Sequence, residues 1–373
     1  MKKVLLIANA NSVWTKEYVK NIHYKFNNKV YITDYYGLND DEKQFYKNLN
    51  VEIIDLFTDI KLFKFIKYFV EFKKFAKEHR DEIDIVDIQS PPHSIQTYLI
   101  HKTIKKLNAK SIITFWGSDI LRINSRDAKS MQKLIKQATW INIGTDHMFE
   151  VFKKYYDDSY NDKCTFVEFG SPALSYIKDC PLTKTECKKI FGLNSEKITV
   201  AVGYNGGKAQ QHLLAIQALS ELKDDLKNKI QLMLHVGYNT NSEYNKEIEA
   251  ALQKSNFDYV MLKEMLNLEE IAKLRLATDI FVHAQTTDGL SGSIREAVYS
   301  GAILLNPEWL KYDKFDNDGV EYIKYADFQQ LPSKITDVLE GNISIDKCKN
   351  KEILDNEYSW KSVEHKWKRM FDD

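Results

Sequence analysis

Two acidic residues, Asp288 and Glu296, lie eight positions apart in a segment of small residues. A carboxylate can accept hydrogen bonds from both hydroxyls of a sugar diol. A glycine-containing loop before a helix offers backbone N–H groups to a phosphate. Two simpler interpretations stay open: Ser293 and Glu296 have the spacing of a helix capping box, and Asp288 with Gly289 is a common turn dipeptide. The remaining residues of this candidate site are Leu290, Ser291 and Gly292.

A second glycine-rich segment follows a predicted strand and precedes a predicted helix. It contains Gly203, Asn205, Gly206, Gly207 and Lys208. Parallel α/β sheets bind phosphates at such positions, where Lys208 would add a positive charge. An ordinary flexible turn between strand and helix is the alternative.

The segment from Lys263 to His283 and the acidic loop together resemble the retaining glycosyltransferases of family 4 in order and spacing. This resemblance implies the GT-B architecture. It also implies that Asp288 lies near the donor sugar and that Glu296 holds the nucleotide ribose. The small residues between these acids would contact the diphosphate, and Met265 and Leu266 are assigned to the donor site.

The sequence departs from the family pattern at several positions. Tyr204 stands where the family usually has an arginine, and Lys208 is offset by one position. Asp288 replaces the usual glutamate, and Asn11 and Ser12 occupy a loop where glycines are expected. The loop with Gly203 and His212 also resembles that of lipid-linked fucosamine transferases.

In the N-terminal half, the segment Thr114–Asp119 also resembles family 4 and indicates an acceptor side with Trp116, Ser118, Asn11 and Ser12. Asp119 is a candidate catalytic base or, alternatively, a helix N-cap. His93 follows another predicted strand, and we expect it either to line the site or to have a structural role.

Short β-branched segments alternate with helical patterns, which predicts parallel sheets. Thirteen strands are predicted, beginning at or near Val4, Lys29, Val51, Ile83, Ser111, Trp140, Cys164, Ile198, Ile230, Tyr259, Asp279, Ala302 and Val320. The predicted fold class is α/β of the GT-B type, with two facing Rossmann-like domains and a cleft between them. Its predicted parts are an acceptor domain at 1–172, a linker at 173–196, a donor domain at 197–350 and a helix at 351–373 that packs back across the domain boundary.

The chain has 373 residues, with 53 basic and 53 acidic side chains. These charges balance, so the chain has no overall positive electrostatic field that would attract nucleic acid. Its four scattered cysteines indicate neither disulfides nor zinc, and we expect a cytoplasmic protein that uses no metal or cofactor.

A helix predicted at 59–80 combines aromatic residues with six lysines, Lys61, Lys64, Lys67, Lys73, Lys74 and Lys77. It is either a membrane-surface helix or a core helix whose lysines reach solvent.

The function that the resemblance implies is transfer of a sugar from a nucleotide-diphosphate donor to a glycan, lipid-linked or protein acceptor, with retention of anomeric configuration. Polysaccharide biosynthesis at the inner face of the cell membrane is the expected setting. Two alternatives remain: an inverting transferase with Asp119 or His93 as base, and a non-catalytic subunit that supports a partner enzyme.

Overall fold

The structure, a computed structural model, describes residues 1–93 and 95–372, apart from the side chains of residues 61 and 62. Strands and helices alternate along nearly the whole chain, and they form two compact units. The first unit comprises Met1–Gly170 and Val363–Asp373, and the second comprises Ser171–Ser362.

The first unit contains a seven-stranded parallel sheet with the order β3-β2-β1-β4-β5-β6-β7. Its strands are β1 (Lys3–Ile7), β2 (Lys29–Asp34), β3 (Val51–Asp55), β4 (Ile85–Gln89), β5 (Lys110–Phe115), β6 (Trp140–Ile143) and β7 (Cys164–Thr165). The strand order changes direction between β1 and β4. Loops that follow these two strands therefore meet at the topological switch point, where such sheets bind ligands.

The second unit contains a six-stranded parallel sheet with the order β10-β9-β8-β11-β12-β13. Its strands are β8 (Ile198–Val202), β9 (Ile230–His235), β10 (Asp258–Leu262), β11 (Ile280–Val282), β12 (Ile303–Pro307) and β13 (Ile323–Tyr325). Here the switch point lies between β8 and β11. The two predicted donor loops follow these two strands and so lie side by side.

Helices cover both sheets. Those of the first unit are α1 (Val13–Tyr18), α2 (Asp40–Asn48), α3 (Lys61–Lys67), α4 (Lys73–Glu78), α5 (Ile95–Ile104), α6 (Ser118–Leu121), α7 (Ser125–Gln137) and α8 (Asp146–Tyr155). They are followed by α9 (Leu174–Asp179), α10 (Lys184–Ile190), α11 (His212–Leu219), α12 (Asp224–Lys227), α13 (Ser242–Lys254), α14 (Leu268–Leu276), α15 (Gly292–Tyr299), α16 (Asp313–Asp318), α17 (Leu331–Leu339), α18 (Lys347–Tyr358) and α19 (Trp360–Asp372). Shorter π or 3₁₀ turns occupy Val19–Tyr24, Tyr68–Phe72, Asp158–Lys163, Lys208–Gln210 and Phe328–Gln330.

All thirteen predicted strands are present, and each begins within three residues of its predicted start. The strands nearest the centres of the two sheets, among them β4 and β8, are rich in β-branched residues and buried on both faces, as is usual in a parallel sheet. In the first unit, β1 and β4 are buried almost throughout.

The predicted division of the chain differs from the observed one in two places. Residues 173–196, predicted as a linker, contain α9 and α10, and they belong to the second unit because Leu174, Ile177 and Cys187 are buried in its core. Residues 351–373, predicted as one helix, are divided at Ser359, whose extended backbone separates α18 from α19.

The segment 363–372 belongs to the first unit although it follows the second in sequence. Trp367 is fully buried there, with its ring centroid 4.8 Å from that of Tyr18 and 5.1 Å from that of Phe169. Its indole N–H donates to the Glu168 carbonyl at 2.9 Å. The apolar face of this amphipathic helix is thus covered.

The predicted helix at 59–80 is observed as α3, the π turn Tyr68–Phe72 and α4, which follow one another without a break. We call residues 61–78 the lysine–aromatic helix. Tyr68, Phe72 and Phe75 pack into the core, whereas several other apolar side chains are exposed. None of the helices in the described part of the chain is long and apolar enough to cross a membrane.

Candidate active site

The loop after β8 is shaped by its glycines. Gly203 has a φ of +68°, and a Cβ at this position would lie 2.8 Å from Nε2 of His212. At Gly206, a Cβ would lie 2.7 Å from the Val236 carbonyl, so the backbones of two neighbouring loops approach too closely for a side chain. These glycines are therefore required by packing, independently of any ligand.

Most backbone N–H groups of this loop already have acceptors within the protein. They donate as follows: Gly203 to the Val282 carbonyl, Tyr204 to Oε1 of Gln210, Gly206 to the Tyr238 carbonyl and Gly207 to Oδ1 of Asn205. Lys208 is exposed, and its ammonium lies 5.6 Å from the ring centroid of Tyr244. The first loop is thus fixed by its own hydrogen bonds and offers few free backbone N–H groups to a phosphate.

Hydrogen bonds join the two loops. The side-chain amide of Gln210 donates to Oε1 of Gln285, and the Thr286 N–H donates to the Ala209 carbonyl at 2.9 Å. The Gln211 side chain donates to the Ala284 carbonyl at 2.6 Å. The two glycine-rich segments therefore form one structural element at the carboxyl edge of the second sheet.

Asp288 is buried among hydroxyl donors. Its Oδ1 accepts from the Tyr204 hydroxyl at 3.1 Å, and its Oδ2 accepts from the Tyr312 hydroxyl at 2.6 Å and from the Ser291 N–H at 2.8 Å. Burial first, and then the charge of Asp288, raise the pKa of both tyrosines well above the usual range. Tyr204, which replaces the family's arginine, therefore stays neutral and orients the carboxylate.

Next to Asp288, Leu290 adopts a left-handed backbone with a φ of +62° while its side chain packs into the core. A left-handed conformation of a bulky non-glycine residue costs on the order of 1–3 kcal/mol. The turn that connects this loop to α15 therefore has a strained backbone at Leu290.

Helix α15 begins at Gly292, and its N-cap Ser291 makes no side-chain capping bond. The N–H groups of Gly292 and Ser293 belong to its first turn, where helical amides have no acceptor inside the helix. This helix start lies at the switch point and is a natural anion site.

Glu296 is buried, and the capping-box alternative is wrong for it. Instead of bonding the helix start, its Oε2 accepts from Nε of Arg275 at 3.4 Å. Its Oε1 accepts from the Ser171 hydroxyl at 3.2 Å and from the Ala173 N–H at 3.4 Å. Because Ser291 rather than Ser293 is the N-cap, Glu296 lies two residues beyond the position from which it could complete a capping box.

The remaining predicted donor residues lie beyond β10. Met265 is 66 % exposed, and Leu266 is half-buried against the core of the second unit. The Glu264 carbonyl of the same loop lies 3.1 Å from Nε2 of His235. Met265 therefore presents an unpacked apolar side chain at the carboxyl edge.

In the first unit, Asp119 is buried and organises its own loop. Its carboxylate accepts from the N–H groups of Trp116 and Gly117 at 2.8–3.0 Å, and it also interacts with the Ser90 hydroxyl. Burial raises the pKa of Asp119, and these donors partly offset the effect. Gly117 is the N-cap of α6, so Asp119 does not have the predicted capping role.

The other predicted acceptor-side residues lie at the same edge of the first sheet. The Trp116 indole donates to Oε1 of Gln89 at 3.0 Å, and Ser118 is exposed. Asn11 donates to the Gly37 carbonyl at 2.8 Å, and Ser12 is the N-cap of α1 without a side-chain capping bond. Among the described residues, Nδ1 of the half-buried His93 has no hydrogen-bond partner.

Sequence reasoning missed the residues that hold the two acids. Tyr312 lies 24 residues from Asp288, and Arg275 and Ser171 lie 21 and 125 residues from Glu296 in the sequence. Neither a motif nor a periodicity marks them. Only Tyr204 could have been noticed in the sequence, because it replaces the arginine that the family usually has at this position.

Known proteins resemble this chain in part of its sequence and in its fold. Residues 3–141 match the family model described as Glycosyl transferase 4-like. HepE of Anabaena, solved in complex with UDP and glucose, is similar over the full length of both chains, with 12 % identity and a TM-score of 0.78. A glycosyltransferase of Rickettsia africae has 14 % identity and a TM-score of 0.77 over 100 % of this chain and 98 % of its own.

WaaG, a glycosyltransferase involved in lipopolysaccharide biosynthesis, is similar over 99 % of each chain, with 12 % identity and a TM-score of 0.62. No curated protein sequence matches the chain significantly. The predicted GT-B fold of two Rossmann-like sheets is confirmed, and so is the resemblance to glycosyltransferases. The family match covers the N-terminal part, whereas the acidic motif that first indicated the family lies in the second unit.

Proposed function

We propose that this chain is a glycosyltransferase that takes a sugar from a nucleotide-diphosphate donor bound by its second unit. The observation that carries the proposal is the start of α15, whose first-turn amides lie at the switch point beside the buried carboxylates of Asp288 and Glu296. The resemblance of fold and family model to glycosyltransferases supports it.

In this proposal, the diphosphate binds at the N–H groups of Gly292 and Ser293. The first loop contributes shape more than amides, because most of its backbone N–H groups already have acceptors within the protein. Asp288 contacts the transferred sugar, and Glu296 the ribose. A helix start stabilises charge that develops on the leaving diphosphate, with Lys208 as an additional cation, so the proposed reaction requires no metal.

The proposed reaction retains anomeric configuration. The complex of HepE with UDP and glucose supports a uridine nucleotide as the first donor to test. The inverting alternative needs a base in the first unit. Its better candidate is His93, since the carboxylate of Asp119 is already committed to the backbone of its own loop.

We further propose that the enzyme works in polysaccharide biosynthesis as a peripheral protein at the cytoplasmic face of a membrane. Exposed aromatic residues of the lysine–aromatic helix, among them Phe63 and Phe69, support this location. The helix has the composition of an interfacial segment.

Thermal-shift measurements against UDP-, GDP- and dTDP-sugars test the proposal. A ligand at 100 times its Kd adds about 2.7 kcal/mol to the free energy of unfolding. We expect stabilisation by one nucleotide class, followed by transfer or hydrolysis of that donor, and NMR of the product anomer gives the stereochemistry. Stabilisation without turnover, in the presence of cell membranes and cytosol as acceptor sources, would favour the non-catalytic subunit.

A further inference from the structure

Two polar side chains lie buried on one face of β4. Asp87 and Gln89 alternate along this strand with Val86 and Ile88, which pack into the hydrophobic core on the other face. Asp87 is fully buried, and Gln89 is 2 % exposed. Burial of polar groups is costly unless each group finds a hydrogen-bond partner. The partners of these two side chains therefore indicate their role.

Asp87 is held by two rings from α1 and the turn that follows it. The Tyr18 hydroxyl donates to Oδ2 of Asp87 at 2.7 Å, and Nε2 of His23 lies 3.4 Å from the same oxygen. Both rings are fully buried. Burial first, and then the charge of Asp87, raise the pKa of Tyr18 well above its usual range, so this hydroxyl keeps its proton and remains a donor. The carboxylate of Asp87 is thus fixed in one orientation.

Gln89 connects this carboxylate to Trp116 in the loop after β5. Its side-chain nitrogen donates to Oδ1 of Asp87 at 2.6 Å, and its side-chain oxygen accepts the Trp116 indole N–H at 3.0 Å. A reversed amide would place its oxygen against the carboxylate and its nitrogen against the indole N–H, and neither pair can form a hydrogen bond. Asp87 therefore sets the orientation of Gln89, and Gln89 sets that of the indole.

Trp116 is also supported from a second side. The ring centroid of Phe169 lies 5.5 Å from that of Trp116, edge to face, and 5.1 Å from that of Trp367 in α19. The backbone N–H of Trp116 donates to the Asp119 carboxylate at 3.0 Å. Both N–H groups of Trp116 are thus engaged, yet the residue is only half-buried. What Trp116 offers a ligand is therefore its aromatic ring, held in a fixed position.

We propose that the ring of Trp116 stacks on the apolar face of a sugar ring in the acceptor, and that Gln89 and Asp87 are positioning residues for it. This inference rests on the proposed transferase function and narrows its acceptor to one whose attacking hydroxyl belongs to a cyclic sugar. An aromatic ring without a free N–H packs on the row of C–H groups that one face of a pyranose presents. The hydroxyl-bearing side chain of a protein acceptor lacks such a face. Ser118 in the same loop is exposed and offers a hydroxyl to the polar edge of the sugar.

The positioning role is tested by comparing transfer with hydrolysis. The best-binding sugar nucleotide, radiolabelled in its sugar, is incubated with an extract of the cell that makes the protein, and transfer and release of free sugar are measured together. Gln89→Leu removes the support of the indole at similar volume. We expect the amount of extract that gives half-maximal transfer to rise about tenfold. Donor hydrolysis and donor affinity should stay within about twofold, because the donor is proposed to bind the second unit.

Gln231→Leu is the matched control. Gln231 in β9 is 3 % exposed and, like Gln89, donates to a neighbouring threonine, in this case Thr199 at 3.0 Å. This variant should leave the half-maximal amount of extract unchanged. A parallel fall of transfer and hydrolysis in Gln89→Leu would mean that Gln89 only supports the fold, and it would overturn the positioning role.

An exchange of the two polar groups keeps the test independent of folding. Gln89→Glu alone places two carboxylates side by side and should impair transfer as Gln89→Leu does. In Asp87→Asn/Gln89→Glu, the new amide donates to the new carboxylate, which still accepts the indole N–H, while the amide oxygen still accepts from Tyr18. We expect this double variant to recover most of the affinity for the extract. If it does not recover although its circular dichroism and melting curve match the parent's, the role of the hydrogen-bonded chain is overturned.

The chemical class of the acceptor is tested on the labelled product of the parent. Linkage analysis by mass spectrometry should find the transferred sugar attached to another sugar, and partition between chloroform–methanol and water then distinguishes a lipid carrier from a soluble glycan. Attachment to an amino-acid side chain, or unchanged transfer by Trp116→Ala at low amounts of extract, would overturn the stacking role and leave the transferase intact. If the parent neither binds nor hydrolyses any sugar nucleotide, the transferase proposal itself fails.

Discussion

Asp119 at the carboxyl edge of the first sheet and Asp288 at that of the second are both buried and both follow a parallel strand, yet they accept hydrogen bonds from different sources. The Asp119 donors are mainly backbone N–H groups within three residues, with the Ser90 hydroxyl as a further partner. Two of the Asp288 donors are the hydroxyls of Tyr204 and Tyr312, from other segments. A carboxylate held by its own turn fixes local geometry, whereas one held by distant side chains depends on the whole unit and is the better candidate for chemistry.

The largest expected effect concerns the other buried acid of the second unit. Glu296→Ala leaves the guanidinium of Arg275 buried without its counter-charge, which costs about 3–5 kcal/mol in the free energy of unfolding. Urea denaturation measures this loss. A change below 1 kcal/mol would mean that the ion pair does not support the fold.

The double variant Glu296→Gln/Arg275→Met separates stability from donor binding. With both charges removed, most of the stability should return. If Glu296 holds the ribose, nucleotide affinity should still fall by about 1.5–3 kcal/mol for each charge-assisted bond lost. Donor affinity equal to the parent's in this stable variant would contradict the ribose assignment.

Acid sensitivity should also differ between the units. Burial lowers the pKa of His212 and His235 in the second unit to about 4, whereas an unfolded histidine titrates near 6.5. As the pH falls, the unfolded state therefore binds protons at these histidines before the folded state does. The stability that the two neutral histidines contribute is complete above about pH 6.5 and is lost as the pH falls to about 4, by about 3 kcal/mol for each histidine.

Asp119 responds with the opposite sign, because burial raises its pKa and protonation then favours the folded state. Hydrogen exchange read by mass spectrometry between pH 7 and pH 4 should show opening in peptides of the second unit before those of the first. His212→Gln should reduce this acid sensitivity. First-unit peptides that exchange earlier on acidification would contradict the assignment.

Catalysis gives the next effect. Asp288→Asn should lower kcat by about 10²-fold, a loss of about 2.7 kcal/mol in transition-state stabilisation, with little change in nucleotide affinity. Asp288→Glu, which restores the usual family residue, should keep partial activity. If Asp288 only shapes the turn, the ranking reverses, since Asn serves a turn before glycine as well as Asp does. Tyr312→Phe is the matched control for a lost hydrogen bond without a lost charge.

The smallest effect is expected at Asp119. Asp119→Asn keeps one acceptor oxygen for the loop and should cost about 1 kcal/mol of stability, with transfer activity within a few-fold of the parent. An inverting mechanism with this carboxylate as base would instead lose 10²–10⁴-fold in kcat. The kinetic measurement alone therefore decides between the two roles.

The sequence predicts the sheets better than the connections, for a physical reason visible in particular residues. Strands such as β8 and β9 are short segments that are rich in apolar residues and almost entirely buried, so the local sequence pattern is enough to reveal them. The helices at 174–190 were missed because they are only about two turns long and depend on tertiary burial through Leu174 and Cys187 for much of their stability. Asp288 and Glu296 were predicted as a pair from their spacing, but their partners Tyr312, Arg275 and Ser171 are brought to them only by the fold.

The return of residues 363–372 to the first unit also bears on how the chain folds during synthesis. Tyr18 and Phe169 have left the ribosome well before Trp367, which covers them, because the entire second unit is made in between. At about 5–20 residues per second, this delay is on the order of 10 s or more. The nascent first unit therefore exposes an aromatic surface to chaperones throughout that interval, until α19 packs against it.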